Sequence, residues 1–126
     1  MELGWFEVSL DVKDIGRTRS FYEALGFEVM DTGFEGRVVT LQKGDCRICL
    51  YQGFLDPPET QLIFWQGDVA AIANDLKSKG LKFEKEPTTG DDGGIGALLR
   101  DPDGRPIYFV NLPGTNLPRV RHRGSG

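Results

Sequence analysis

The sequence predicts an α+β fold: two tandem βαβββ modules forming a curved mixed sheet around a cleft, with the helices on the outer face. Three observations lead there. A strand, a capped helix and a glycine stop occur twice at a constant offset of 54 residues, Asp14 to Asp68 and Gly26 to Gly80. Each helix is followed by short strands separated by turn residues. Strand alternation also divides the residues into an apolar set for the helices and a mixed set for the opposite face.

The first half opens with Glu7 to Val12, an alternating strand carrying Val8, Leu10 and Val12 on one side. Asp14 caps a helix whose positions Ile15, Thr18, Phe21, Tyr22 and Leu25 share one face. Gly26 ends it, as a residue that tolerates positive φ should. Phe27 and Val29 enter the next strand, and Arg37 to Leu41 turns at Lys43-Gly44-Asp45 into Arg47 to Tyr51. The second half repeats the plan. Gln61 to Trp65 is a strand, Asp68 caps, and Val69, Ile72, Ala73 and Leu76 form the stripe. Gly80 stops the helix, and Leu81 and Phe83 follow. Ala97 to Leu99 then turns at Asp101-Pro102-Asp103-Gly104 into Pro106 to Val110. There Pro102 presets φ and the aspartates bond locally. The domain plan is one domain over 1–126: module 1 about 4–52, a Pro57-Pro58 linker 53–60, module 2 about 61–112, and a flexible tail 113–126. The Gly90 to Gly94 loop is read as a flexible connection, with a lid as the alternative.

Composition narrows the function classes. The 126 residues are 39% hydrophobic and 27% charged, as in a globular chain with a core of its own. No apolar run approaches a membrane span, and the start lacks a secretion signal, so no membrane partner and a cytoplasmic location are expected. Net charge is −4, and Arg119, Arg121 and Arg123 stand in an acid-free tail. The body before them is more acidic still, which argues against nucleic acid as a partner. The one histidine, His122, lies in that tail. Cys46 and Cys49 form a Cys-x-x-Cys on a strand rather than at a helix start. Residues three apart on a strand point to opposite faces about 10 Å apart, so neither a disulfide nor a shared metal is expected.

Parity also selects the candidate site. If Val8, Leu10, Leu62, Phe64, Ile107 and Phe109 face the helices, the opposite face carries Trp5, Glu7, Ser9, Arg47, Cys49, Tyr51, Gln61, Ile63, Trp65 and Tyr108. Aromatic rings with few charges suit a small-molecule pocket. Each ring could equally be core, and Glu7 could equally form a salt bridge with Arg47.

The stretches Val8 to Asp14, Ser20 to Phe27 and Leu99 to Gly104, with their Asp-Pro-Asp-Gly turn, resemble the vicinal oxygen chelate superfamily of glyoxalases, bleomycin-resistance proteins and extradiol dioxygenases. The resemblance covers about residues 5 to 112 and speaks to fold more than to reaction. It implies metal-ligand positions at Glu7, Cys49, Gln61 and Tyr108, where His, Glu or Gln is usual. A carboxylate, a thiol, an amide and a phenol make a discordant set, so no metal and no cofactor are expected. It also implies a homodimer. The leading expectation is a metal-independent small-molecule-binding protein. Its aromatic or cationic ligand would meet Glu7, Arg47, Cys49, Tyr51, Phe54, Gln61, Trp65 and Tyr108. The alternatives are an enzyme of the same superfamily (lyase, isomerase or dioxygenase) and an interaction domain with a filled cleft. The enzyme would use Glu7 as general base or metal ligand, with Tyr108 or Arg47 as electrophilic partner.

Overall fold

A computed structural model describes residues 1–113, so the expected tail lies, from residue 114 on, outside the described residues. The element order is β1 (Gly4–Val12), α1 (Ile15–Ala24), β2 (Glu28–Gly33), a 3-10 turn (Phe34–Gly36), β3 (Val38–Lys43), β4 (Cys46–Gln52), β5 (Gln61–Gln66), α2 (Val69–Ser78), β6 (Lys85–Thr89), β7 (Ile95–Arg100) and β8 (Pro106–Asn111). The strand–helix–three-strand plan therefore occurs twice, as the sequence predicts. Among the described residues no helix is long and apolar enough to cross a membrane.

The repeat extends to individual hydrogen bonds. Asp14 Oδ1 accepts from the Arg17 N–H at 3.1 Å, and Asp68 Oδ1 accepts from the Ala71 N–H at 3.1 Å. These contacts satisfy donors that a helix start leaves open, each worth about 1 kcal/mol. At the other end Gly26 and Gly80 have φ of 100° and 90°. The following residues, Phe27 and Leu81, donate back to the Tyr22 and Leu76 carbonyls at 3.1 Å each. Both helices thus close with the same glycine-dependent cap.

Two compact units result, Glu7–Leu62 and a second comprising Met1–Phe6 with the described residues from Ile63 onward. In the Glu7–Leu62 unit the strand order is β2-β3-β4-β1. β1 runs parallel to β4, with Val8 opposite Ile48 and Ser9 opposite Cys49, whereas β3 is antiparallel to both β2 and β4. Its core joins Val39, Leu41 and Leu50 to Leu10, Val12, Ile15, Tyr22, Phe27 and Val29. In the other unit the order is β5-β8-β7-β6. There α2 buries Val69, Ile72 and Ala73, and the first two pack with Ala97, Leu99 and Phe109. Phe64 and Phe109 stack with ring centres 5.6 Å apart.

The two helices differ where the sequence reading treats them alike. α1 buries no residue fully, and Phe21 and Leu25 are 62% and 53% exposed. Gly16, Arg17, Arg19 and Ser20 leave α1 too polar for a wide stripe, so only Ile15 and Tyr22 of the expected apolar positions reach the core. Leu81 is exposed as well, and Phe83 packs on the α2 core in its place. The Asp101 turn is held as its residues suggest. Asp101 Oδ1 accepts from the Asp103 and Arg105 N–H groups at 2.9 Å. The Arg105 N–H, the largest influence, and its guanidinium hold the Asp101 carboxyl below its usual range. The Gly90 to Gly94 connection is a tight turn closed on itself, with Gly90 N–H donating to the Gly94 carbonyl at 2.7 Å.

Candidate ligand site

Within the Glu7–Leu62 unit, the sheet face turned away from α1 is polar and buried. β1 supplies Glu7 and Ser9, β3 supplies Thr40, and β4 supplies Arg47, Cys49 and Tyr51. Arg47 Nε donates to Glu7 Oε2 at 2.6 Å, and the two side chains are only 7% and 3% exposed. Arg47 Nη1 also reaches Gln42 Oε1 at 3.4 Å. This orientation follows from the periodicity of two: Val8, Leu10 and Leu50 belong to the other side, so their neighbours cannot. The Glu7–Arg47 salt bridge, an alternative in the sequence reading, is the arrangement found.

Next along the same face, Ser9 stands opposite Cys49 on β1, and Thr40 stands opposite it on β3. Thr40 Oγ1 lies 3.6 Å from Cys49 Sγ. Burial, reinforced by the Glu7 charge, pushes the Cys49 thiol up to about 11, and Thr40, Tyr51 and Arg47 offset this only in part. Burial is also the main cause, ahead of Cys49 and Glu7, that drives the Tyr51 phenol well above the usual tyrosine range. Both groups therefore carry their protons at neutral pH. The Ser9 hydroxyl lies close enough to Tyr51 to favour its ionised form and offset the rise in small part.

Tyr51 is also the inner end of an aromatic chain. Its ring lies 5.7 Å from Phe54, and Phe54 lies 5.0 Å from Phe34. The Arg37 guanidinium sits 5.2 Å from the Phe54 ring centre. Phe34 and Glu35 both adopt positive φ, 50° and 57°, a conformation that is costly for side chains of this size. Gln61 is buried in the same unit, and its Nε2 donates to the Pro57 carbonyl at 2.9 Å. Trp65 and Tyr108 belong to the other unit. There Phe64, Ile107 and Phe109 pack with the α2 core, and parity turns Ile63, Trp65 and Tyr108 to the opposite side. The indole nitrogens of Trp5 and Trp65 are buried without a hydrogen-bond partner among the described residues.

Of the sequence-selected residues, Glu7, Arg47, Cys49 and Tyr51 come together, with Phe54 against Tyr51. Gln61 is engaged by the linker instead. Sequence reading passed over Thr40, Gln42, Phe34 and Arg37. Parity on β3, read from Leu41 as core, would have found Thr40 and Gln42. No local pattern announces the left-handed turn that projects Phe34.

The cluster suits a metal poorly. Among the described residues no group of three or more His, Cys, Asp or Glu could hold an ion. The Glu7 carboxylate gives one oxygen to a guanidinium, and the thiol and phenol keep the protons a metal would have to displace. Cys46 is exposed and Cys49 buried, and both are free.

A family model described as "Glyoxalase/Bleomycin resistance protein/Dioxygenase superfamily" matches residues 4–109. The chain belongs to this superfamily. No curated protein matches it. Among solved structures, a glyoxalase/bleomycin resistance protein/dioxygenase superfamily member from Vibrio splendidus 12B01 shares 18% identity at a TM-score of 0.61, over 84% of this chain and 97% of that one. A protein from Legionella pneumophila described as an NAD-dependent benzaldehyde dehydrogenase has 19% identity and a TM-score of 0.66, covering 85% and 98%. The hypothetical protein BH1468 from Bacillus halodurans C-125 has 15% identity and a TM-score of 0.65, covering 93% and 98%. At these identities the likeness is one of fold. In this glyoxalase-superfamily chain, function has to be argued from the site.

Proposed function

We propose that the protein is a metal-independent small-molecule-binding member of the glyoxalase/bleomycin-resistance superfamily, acting without turnover. The observation that carries this reading is the buried Glu7–Arg47 contact at 2.6 Å. A carboxylate held by a guanidinium has an oxygen already accepting a charge-assisted hydrogen bond, which disfavours it both as a general base and as a metal ligand. The protonated Cys49 and Tyr51 give the face no nucleophile at neutral pH. Pairing also engages the Glu7 carboxylate that a cationic ligand was expected to meet, so the aromatic alternative is favoured over the cationic one. The Tyr51–Phe54–Phe34 rings supply stacking surface. The family resemblance adds a homodimer to the proposal.

The experiment is a fragment screen by thermal shift on chelator-treated protein, with each hit repeated in the presence of Ni²⁺, Zn²⁺ and Mn²⁺. Ligands that stabilise equally with and without metal, and leave the mixture chemically unchanged, are expected. Binding that appears only with a metal, or conversion of a hit, would refute the reading.

A further inference from the structure

Phe34, 68% exposed, is the most exposed large apolar side chain among the described residues. It stands in the turn between β2 and β3, where Phe34, Glu35 and Gly36 in succession have φ of 50°, 57° and 85°. Only the glycine adopts that conformation without strain. Glycine at position 34 would relieve the backbone, so the exposed ring is kept at a cost to the fold, and such strain points to a role outside it. The turn is fixed at its base. The Arg37 N–H donates to the Phe34 carbonyl at 3.1 Å, and the Arg37 carbonyl accepts from the Gln52 N–H at 2.9 Å. Phe54, 37% exposed, lies 5.0 Å from the Phe34 ring, and the Arg37 guanidinium stands 5.2 Å from the Phe54 ring centre. Glu35 and Arg37 are both exposed, and neither side chain has an ion-pair partner among the described residues. A pair of rings is thus flanked by one acid and one base.

We propose that this turn is the two-fold contact through which two copies of the chain pair, Phe34 meeting the rings of the second copy and Glu35 meeting the partner's Arg37. This rests on the homodimer put forward above and adds where the copies meet. Charge selects the occupant. In a two-fold contact residue i of each chain meets residue j of the other. A patch holding one unpaired acid and one unpaired base therefore satisfies both charges, twice, when it meets its own copy. A purely acidic or purely basic partner would set one of the two charges against its like. The aromatic centre, ringed by these charges, has the composition of an interface hot spot. The fixed base of the turn means that little order is lost on docking. A stable dimer buries about 800 Å² on each chain, so the turn is the centre of the contact and the surface around it completes the area.

The test is a charge swap on the full chain, read by sedimentation equilibrium, with circular dichroism to show that each variant is folded. Glu35→Arg makes the turn doubly basic and Arg37→Glu makes it doubly acidic. Each alone should weaken self-association by roughly tenfold or more, since like charges then face each other. An equimolar mixture of the two variants should associate again, because unlike charges meet between the chains. The double variant Glu35→Arg with Arg37→Glu should pair with itself. Phe34→Gly should weaken the dimer although it relieves the backbone, a combination that a merely structural phenylalanine would not show. Undiminished self-association in Glu35→Arg, Arg37→Glu and Phe34→Gly, or a mixture that fails to associate, overturns this contact and leaves the homodimer standing. Loss of a fragment hit in Phe34→Gly with the dimer intact assigns the ring to the ligand and likewise overturns it. A wild-type chain that stays monomeric overturns both the contact and the homodimer.

Discussion

Glu7 and Arg47 are each almost wholly removed from water, so their pairing is a matter of stability as well as of site chemistry. Breaking a buried pair by removing one partner strands the other charge, at a cost of about 3–5 kcal/mol. Glu7→Gln should therefore lower the urea-unfolding free energy by that order. The double change Glu7→Gln with Arg47→Met should recover most of the loss; equal destabilisation of both variants would show that the pair itself contributes little. Cys49 gives a pH signature. Its thiol is held at about 11 against an ordinary value of 9.0, so the folded state keeps a proton that the unfolded state releases. Stability is then fully present below pH 9 and declines as pH rises toward 11, by about 2–3 kcal/mol from this group. Tyr51 shifts in the same direction and adds to the decline above pH 10. Cys49→Ala should flatten the fall between pH 9 and 11 in denaturant titrations, and an unchanged slope would contradict the assignment. At this scale the sequence was informative where parity operates: Glu7, Arg47 and Cys49 face one way because Val8, Ile48 and Leu50 face the other. Whether Glu7 was paired was not legible, because a strand pattern gives the face and not the distance between two side chains.

The elements were readable because caps and stops are local chemistry. Asp14 and Asp68, Gly26 and Gly80 appear with the same hydrogen bonds at the same offset. The width of the α1 stripe was not, because helical spacing gives a face and not what covers it: Phe21 and Leu25 fit the spacing and stay exposed. Glycines give a graded test of element packing. A Cβ on Gly4 would lie 2.0 Å from the Trp65 carbonyl oxygen, and its φ is 101°. A Cβ on Gly80, at φ 90°, would meet nothing within 4 Å. Gly80→Ala should cost about 1 kcal/mol, the conformational penalty alone. Gly4→Ala should cost well over twice that, since the neighbour is backbone and cannot rotate away. Comparable Tm losses in the two variants would contradict this packing of β1.

For the molecule as a whole, family membership fixes the fold and leaves the activity to the site. The proposed homodimer predicts twice the 14.0 kDa chain mass in light scattering at micromolar concentration, and a monomer mass would refute it. The central claim is that Arg47 and protonated neighbours stand where other chemistry would need open, deprotonated ligands. Elemental analysis of the purified protein after equilibration with Ni²⁺, Zn²⁺, Fe²⁺ and Mn²⁺ tests it most directly. The account predicts well under one metal ion per chain, with no difference between the wild type and Glu7→Ala. About one bound ion per wild-type chain, lost in Glu7→Ala, would contradict it.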